Sequence, residues 1–384
     1  MFAYSRGEGF MHRLMAGVTI LEHELSELRL LVERQTGILL DCPNSALAAH
    51  VAEYLESQEL ESAAALMNRL RAADQDPLAL PTFLDGVLNV NTGFFRHPGA
   101  MNALARQVVP QLYARKSDDG FCTLRIWSAG CSSGEEAYSI AMALCDALPG
   151  GILNGANNGS SNGNGTRDVK DKISPARNGG IAESGLPSSP AQSTRDWSIH
   201  IVGSDLLPSA IEVAERGLYP QSALMGLPPA AIRACFSKIG SPNGAQNGCQ
   251  EGQNPANNGT GNGSANGANG SNGMNGSNSS SNGAHLLVKP RLRSLVTFNT
   301  MNLIKPVYIG RFDCIFCMDV LPHLSRAQRT GLLERLHLYL EPGGYLFLSQ
   351  TEKLCAPNLN FRSETFDGYT FHRKPLAASA AYGR

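Results

Sequence analysis

The sequence predicts an α/β protein: a mostly parallel sheet with helices on both faces, a small all-α part ahead of it, and a small antiparallel β element. Three observations predict it. From about residue 121, short apolar runs alternate with longer helical stretches. The first 80 or so residues carry helical spacing instead. A separate strand-like pair, 234–238 and 285–289, stands apart from the main alternation.

The helical part comes first. Leu21, Leu25, Leu28, Leu31 and Val32 follow helical spacing, and so do Leu47, Val51, Tyr54 and Leu55 after the turn signal at 41–44. A third helix is expected over 62–72, with Ala65, Leu66 and Leu70 on one face. Three short amphipathic helices can cover one another as a bundle. Asp76-Pro77 and Pro81 then read as a linker or domain edge. Domains are therefore expected at 1–80 (helical) and 81–376 (α/β), with a tail at 377–384.

Strands are expected at 122–128, 197–202, 295–299, 313–318 and 345–349, separated by helices at 135–147, 209–216 and 325–340. A last run at 369–372 is expected to add an antiparallel edge. Two segments, about 151–194 and 241–284, are dominated by Asn, Gly and Ser. Such small polar side chains bury too little apolar surface to offset ordering entropy, so both read as flexible surface insertions.

Charge narrows the function classes. Lys+Arg 32 against Asp+Glu 33 gives no electrostatic reason to expect nucleic acid or an anionic membrane as partner. No run reaches the ~20 apolar residues of a membrane span, and residues 1–9 lack the order of a secretory signal. Nine scattered cysteines fit a reducing cytoplasm better than a disulfide framework. Cys314 and Cys317 form a C-x-x-C, but strand alternation puts them on opposite faces, so no shared metal is expected.

The strongest local signal runs from Leu124 to Tyr138: a strand, a tight turn containing Gly130 and Gly134, and a helix start. That is the layout of a ligand site at the carboxyl end of a sheet, where glycine lets backbone approach a ligand. Glu135 and Glu136 open the helix, where its dipole stabilises them and where they repel a pyrophosphate. A phosphate-free ligand carrying an ammonium and a sulfonium fits better. Asp205, closing the second strand, is placed either to bind ribose hydroxyls or to cap the next helix. Asn302 and Asp319 are expected at the tips of the third and fourth strands. Before the sheet, Asn91-Thr-Gly-Phe-Phe-Arg96-His-Pro98 offers paired aromatics and a guanidinium.

The segments NTGFFRHP, RIWSAGCSSGEEAYSIAMAL, IVGSDLLPSAIEVAERGLYP, FNTMNL, GRFDCIFCMDVLPHL and LEPGGYLFLSQTEKL stand in this order. In order and spacing they resemble the CheR-type chemoreceptor glutamate methyltransferases, from about Leu21 to Arg373. The resemblance implies a class I methyltransferase fold, S-adenosylmethionine as cofactor and S-adenosylhomocysteine as product. Its cofactor contacts carry over to Asn91, Thr92, Arg96, Gly130, Glu136, Asp205, Asn302, Leu303, Met318 and Asp319. Arg96 falls nearest the substrate carboxylate, and His323 stands where the family has a tyrosine; these two are the expected catalytic residues. Val90 replaces the usual Asn two residues before Thr92, and Met318-Asp319 replaces an Arg-Asn pair. The helix at 47–55 lacks the basic face of receptor-binding members.

The expected reaction is methyl transfer to glutamate side chains of a chemoreceptor-like signalling protein, by a cytoplasmic monomer. Two alternatives accompany it: a cofactor-binding signalling or scaffold protein with little turnover, and a methyltransferase with another acceptor. Asp205→Ala is expected to weaken cofactor binding and leave the melting transition of the apo protein nearly unchanged.

Overall fold

A computed structural model of the chain describes residues 20–72, 75–88, 92–118, 123–147, 197–239, 285–306, 309–354, 356 and 358–376. Both Asn/Gly/Ser-rich segments, the 377–384 tail and Asn91 lie outside the described residues.

Four helices precede the sheet: α1 Glu22–Thr36, α2 Asn44–Ser57, α3 Ala63–Arg71 and α4 Ala79–Val87. Their apolar stripes meet in one core containing Leu25, Leu28, Leu47, Val51, Leu66 and Phe83. The fourth helix corrects the linker reading at Pro81. Pro81 lies in its first turn, where a missing N–H costs nothing, and is buried. Gly37 ends α1 at φ +74, a left-handed cap that turns the chain sharply.

Next come α5 Pro98–Ala103, a π-turn Leu104–Val108 and α6 Val109–Asp118. The sheet then builds from β1 Thr123–Ala129, α7 Glu135–Ala147, β2 Ser198–Asp205 and α8 Pro208–Arg216. A three-stranded antiparallel sheet follows, in the order β3-β5-β4, from β3 Leu218–Pro220, β4 Phe236–Lys238 and β5 His285–Val288. The short helices α9 Pro229–Cys235 and α10 Pro290–Arg293 belong to this part of the chain. The main sheet resumes with β6 Val296–Thr300, β7 Phe312–Phe316, α11 Arg326–Tyr339, β8 Leu340–Phe347, β9 Arg362–Phe366 and β10 Tyr369–Arg373.

Its order is β6-β2-β1-β7-β8-β10-β9, parallel through β8 and closed by an antiparallel hairpin. The run at 369–372 therefore lies inside the sheet. The edge is β9, whose half-exposed polar residues gave no strand signal. Side chains alternate between two cores. Ile126, Cys314 and Phe316 face α5–α7, whereas Trp127, Ile315 and Cys317 face α11. Cys314 and Cys317 thus point away from each other, and no cluster of three metal-ligating side chains occurs among the described residues. Among these residues, no helix is long and apolar enough to cross a membrane.

Strand order reverses between β1 and β7, which opens a crevice beyond their carboxyl ends. At the opposite end of the sheet, α7 stops at Ala147 and β2 begins at Ser198, paired with Thr123.

Candidate functional site

The crevice is a cavity of about 970 Å³. Its floor is the β1–α7 turn, and its sides come from the tips of β2, β6 and β7 and from the 92–97 segment. The roof is the strap after α1, including Ile38, Leu39 and Cys42. That strap is tied down by an antiparallel bridge between Ile38 and Leu324 and by the Leu39 N–H on the His323 carbonyl at 2.8 Å.

Thr92, Arg96, Gly130, Glu136, Asp205, Asn302, Leu303, Met318, Asp319 and His323 all line this one cavity. Several do more than border it. Asp205 accepts the Ser132 N–H at 2.9 Å and the Leu207 N–H at 3.0 Å, bracing the turn against β2. The Asn302 side chain donates to the Gln35 carbonyl at 2.8 Å and accepts the Ile304 N–H at 3.1 Å, fastening α1 to the sheet. Met318 is buried, with its sulfur 3.8 Å from the Tyr369 hydroxyl. His323 is exposed at the mouth.

The two glutamates opening α7 separate. Glu136 lies half-buried on the cavity wall and accepts the Ser128 hydroxyl at 2.6 Å. Burial raises its pKa to about 7; nearby Asp319 and Glu352 add to the rise, while the Ser128 bond and Arg96 oppose it. Glu135 is buried away from the cavity and bonded to the Ser133 hydroxyl at 2.7 Å. The idea of paired acids facing the ligand is corrected to one acid. The two glycines also differ. Gly130 borders the cavity at φ +85, and an added Cβ would strike Val320 at 2.5 Å, whereas a Cβ on Gly134 would meet Ala214 and Phe298.

Backbone amides of the turn decide against phosphate. Gly130 and Cys131 N–H donate to the Ser204 carbonyl at 2.8 and 2.9 Å, Ser132 to Asp205, and Gly134 to the Cys131 carbonyl at 3.0 Å. These four turn donors are consumed internally, and the Glu136 and Asp205 carboxylates on the cavity wall oppose a pyrophosphate's charge. The Ser132 hydroxyl remains, buried on the cavity wall without a hydrogen-bond partner in the protein. A phosphate-free, cationic nucleoside fits this donor set.

The CheR methyltransferase, SAM binding domain family model matches residues 90–154 and 275–369. The chain belongs to the CheR methyltransferases. Chemotaxis protein methyltransferase 1 of Pseudomonas aeruginosa is 25% identical over 350 residues, covering 88% of this chain and 96% of that protein. Chemotaxis protein methyltransferase Cher2 of Pseudomonas putida is 24% identical, covering 89% and 98%. The Vibrio parahaemolyticus chemotaxis protein methyltransferase is also 24% identical, covering 89% and 93%.

As a CheR methyltransferase the chain has a class I methyltransferase fold and takes S-adenosylmethionine as cofactor, which the self-satisfied turn and acidic wall accommodate. Around this CheR site lie features that the sequence did not single out. Among the described residues, three of the five non-glycine residues with positive φ border the cavity: Phe95, Ser132 and Asp319. Backbone held in sparsely populated conformations clusters at functional sites. Asp319 accepts His97 Nε2 at 2.8 Å and lies 3.2 Å from an Arg96 guanidinium nitrogen. Burial pushes the Asp319 carboxyl up, but hydrogen bonds from His97 and Ser349 and the charges of His97 and Arg96 prevail and hold it below the ordinary value. Glu352 accepts the N–H groups of Asp319, Leu321 and Ser349 at 3.2, 2.9 and 2.8 Å. His97 stood inside the quoted NTGFFRHP segment and Glu352 inside LEPGGYLFLSQTEKL, but no sequence signal assigned either a role at the site.

Proposed function

We propose that this chain methylates glutamate side-chain carboxylates of a chemoreceptor-like signalling protein in the cytoplasm. What supports the reading is a guanidinium, Arg96, half-exposed at a cavity whose lining also carries the carboxylates of Asp41, Glu136, Asp205 and Asp319. The chemotaxis names of the relatives point to the same class of acceptor.

When bound, S-adenosylmethionine supplies a methyl group on a positively charged sulfur. Thr92, Gly130, Glu136, Asp205, Leu303 and Met318 would hold it, with Asn302 keeping α1 and its strap closed above. A glutamate acceptor has an ordinary pKa near 4.3 and is already ionised at neutral pH, so no general base is required. The chain's work is alignment and exclusion of water. Arg96 orients the carboxylate, the apolar strap keeps solvent from it, and His323 donates a hydrogen bond at the mouth.

Incubation with methyl-labelled cofactor and a receptor cytoplasmic fragment is expected to leave base-labile label on the fragment. Absence of label on every acidic protein fragment tried would overturn the proposal.

Glu136 gives the reaction a pH dependence. Its folded-state pKa is raised from 4.5 to about 7, so the apo protein loses stability as pH rises through that window. A cationic ligand prefers the ionised carboxylate and recovers that loss. Affinity for S-adenosylmethionine, which carries the sulfonium charge, is therefore expected to fall about tenfold between pH 8 and pH 6. Glu136→Gln should flatten the profile. Calorimetry showing equal affinity at both pH values in the unaltered protein would remove Glu136 from the cofactor's charge balance.

A further inference from the structure

Arg96 and His97 belong to an irregular segment, yet both reach one atom on the far side of the cavity. Arg96 Nη2 lies 3.2 Å and His97 Nε2 2.8 Å from the same oxygen, Oδ2 of Asp319. That oxygen is 222 residues away in sequence from His97. The backbone on each side is held in a left-handed conformation, at φ +51 for Phe95 and φ +57 for Asp319. Each is secured by a separate hydrogen bond. The Phe95 N–H donates to the Ser139 hydroxyl at 2.9 Å, and the Asp319 N–H donates to Glu352 at 3.2 Å. Glu352 is itself fixed by the Leu321 and Ser349 N–H groups at 2.9 and 2.8 Å. An aromatic contact anchors the segment further, with Phe94 edge-on to Tyr219 and Phe236.

We propose that Asp319 is a positioning residue for methyl transfer, holding the Arg96 guanidinium in place with His97 as a second brace. This rests on the reading that Arg96 receives the acceptor carboxylate. Two consequences follow from the geometry. A long arginine side chain loses substantial rotamer entropy when ordered, and a fixed carboxylate removes that cost before the acceptor arrives. The same carboxylate partly offsets the guanidinium charge. Arg96 then orients an incoming carboxylate without gripping it so tightly that its oxygen stops being a nucleophile. His97 shares the work because an ionised Asp319 accepts a proton-bearing Nε2. The imidazole keeps the carboxylate aimed at the segment while Arg96 adjusts to its ligand.

Asp319→Ala, Asp319→Asn, His97→Gln and the double variant His97→Gln/Asp319→Ala separate this role from a merely structural one. With a receptor fragment as acceptor, Asp319→Ala is expected to lower kcat about thirtyfold while changing acceptor KM and S-adenosylhomocysteine Kd less than about threefold. Asn tolerates the left-handed backbone and keeps one acceptor oxygen, so Asp319→Asn should recover a large part of kcat. In the double variant, His97→Gln should add nothing to Asp319→Ala, because both act through one oxygen. Nitrogen-15 NMR of the apo protein supplies a readout free of turnover. The His97 proton should sit on Nε2 and the Arg96 Nε–H should be slow to exchange, with both signatures lost in Asp319→Ala and partly kept in Asp319→Asn.

Unaltered kcat in a folded Asp319→Ala protein, multiplicative losses in the double variant, or a His97 proton on Nδ1 would each overturn the proposal. Should the unaltered chain label no acidic fragment, the acceptor reading fails. The two NMR signatures still decide whether Asp319 holds Arg96 and His97.

Discussion

Arg96→Ala is expected to reduce methyl transfer to an acidic acceptor by about two to three orders of magnitude, with S-adenosylhomocysteine affinity falling less than about tenfold. The size follows from removing a charged donor that meets the acceptor, which is worth about 3–4 kcal/mol in a site shielded from water. Cofactor binding suffers less because the remaining wall, from Gly130 to Met318, stays intact. Loss of Arg96 also removes a guanidinium from beside Asp319, and places an under-neutralised carboxylate before an anionic acceptor. Arg96→Lys should recover only part of the rate, because an ammonium restores charge but not the planar fork. Steady-state kinetics on a receptor fragment, paired with calorimetry, checks both numbers. Transfer by Arg96→Ala at the unaltered rate would take the acceptor out of Arg96's reach.

Asp205→Ala carries the second large effect, and the structure changes what it should look like. The sequence led to the expectation of a loss confined to the cofactor. Asp205, however, accepts two backbone N–H groups, those of Ser132 and Leu207. Removing it strands both donors in a half-buried setting, at about 1–3 kcal/mol together. A fall of about 5 °C in Tm is expected alongside a cofactor affinity weakened about a hundredfold. Burial already raises the Asp205 pKa, with the Leu207 and Ser132 N–H bonds opposing it. The carboxylate therefore stays poised for further donors from a ligand. Asp205→Asn, which keeps one acceptor oxygen, should recover much of the melting loss and little of the affinity. If the alanine variant binds S-adenosylhomocysteine normally well below its Tm, Asp205 is a brace alone.

The legibility of this fold follows the range of the forces that set it. Helix α7 is flanked by a glycine turn and carries an unbroken apolar face, and its predicted bounds match Glu135–Ala147. The segment from Pro98 to Asp118 went unrecognised although Met101, Leu104, Val108 and Leu112 are all buried. Pro110 sits in its middle, and proline normally breaks such a pattern. Here the π-turn Leu104–Val108 widens the helix just before it, with the Val109 N–H reaching back to the Leu104 carbonyl. No local rule anticipates that accommodation. The site shows the same divide. Residue types and order placed ten of the expected side chains at one cavity. Whether Glu135 or Glu136 faces it depends on one step of about 100° around α7, which only the packing of Ser133 and Ser128 resolves. The grip of Glu352 on Asp319 spans 33 residues and two strand ends, beyond any spacing argument.

The separation of Ala147 and Ser198 from the crevice has a practical corollary. Strand β1 spans seven residues, so about 23 Å of sheet separates that boundary from the reacting groups. A reporter domain put between Ala147 and Ser198 would therefore be attached at the blunt end of the sheet, a strand's length from the reacting groups.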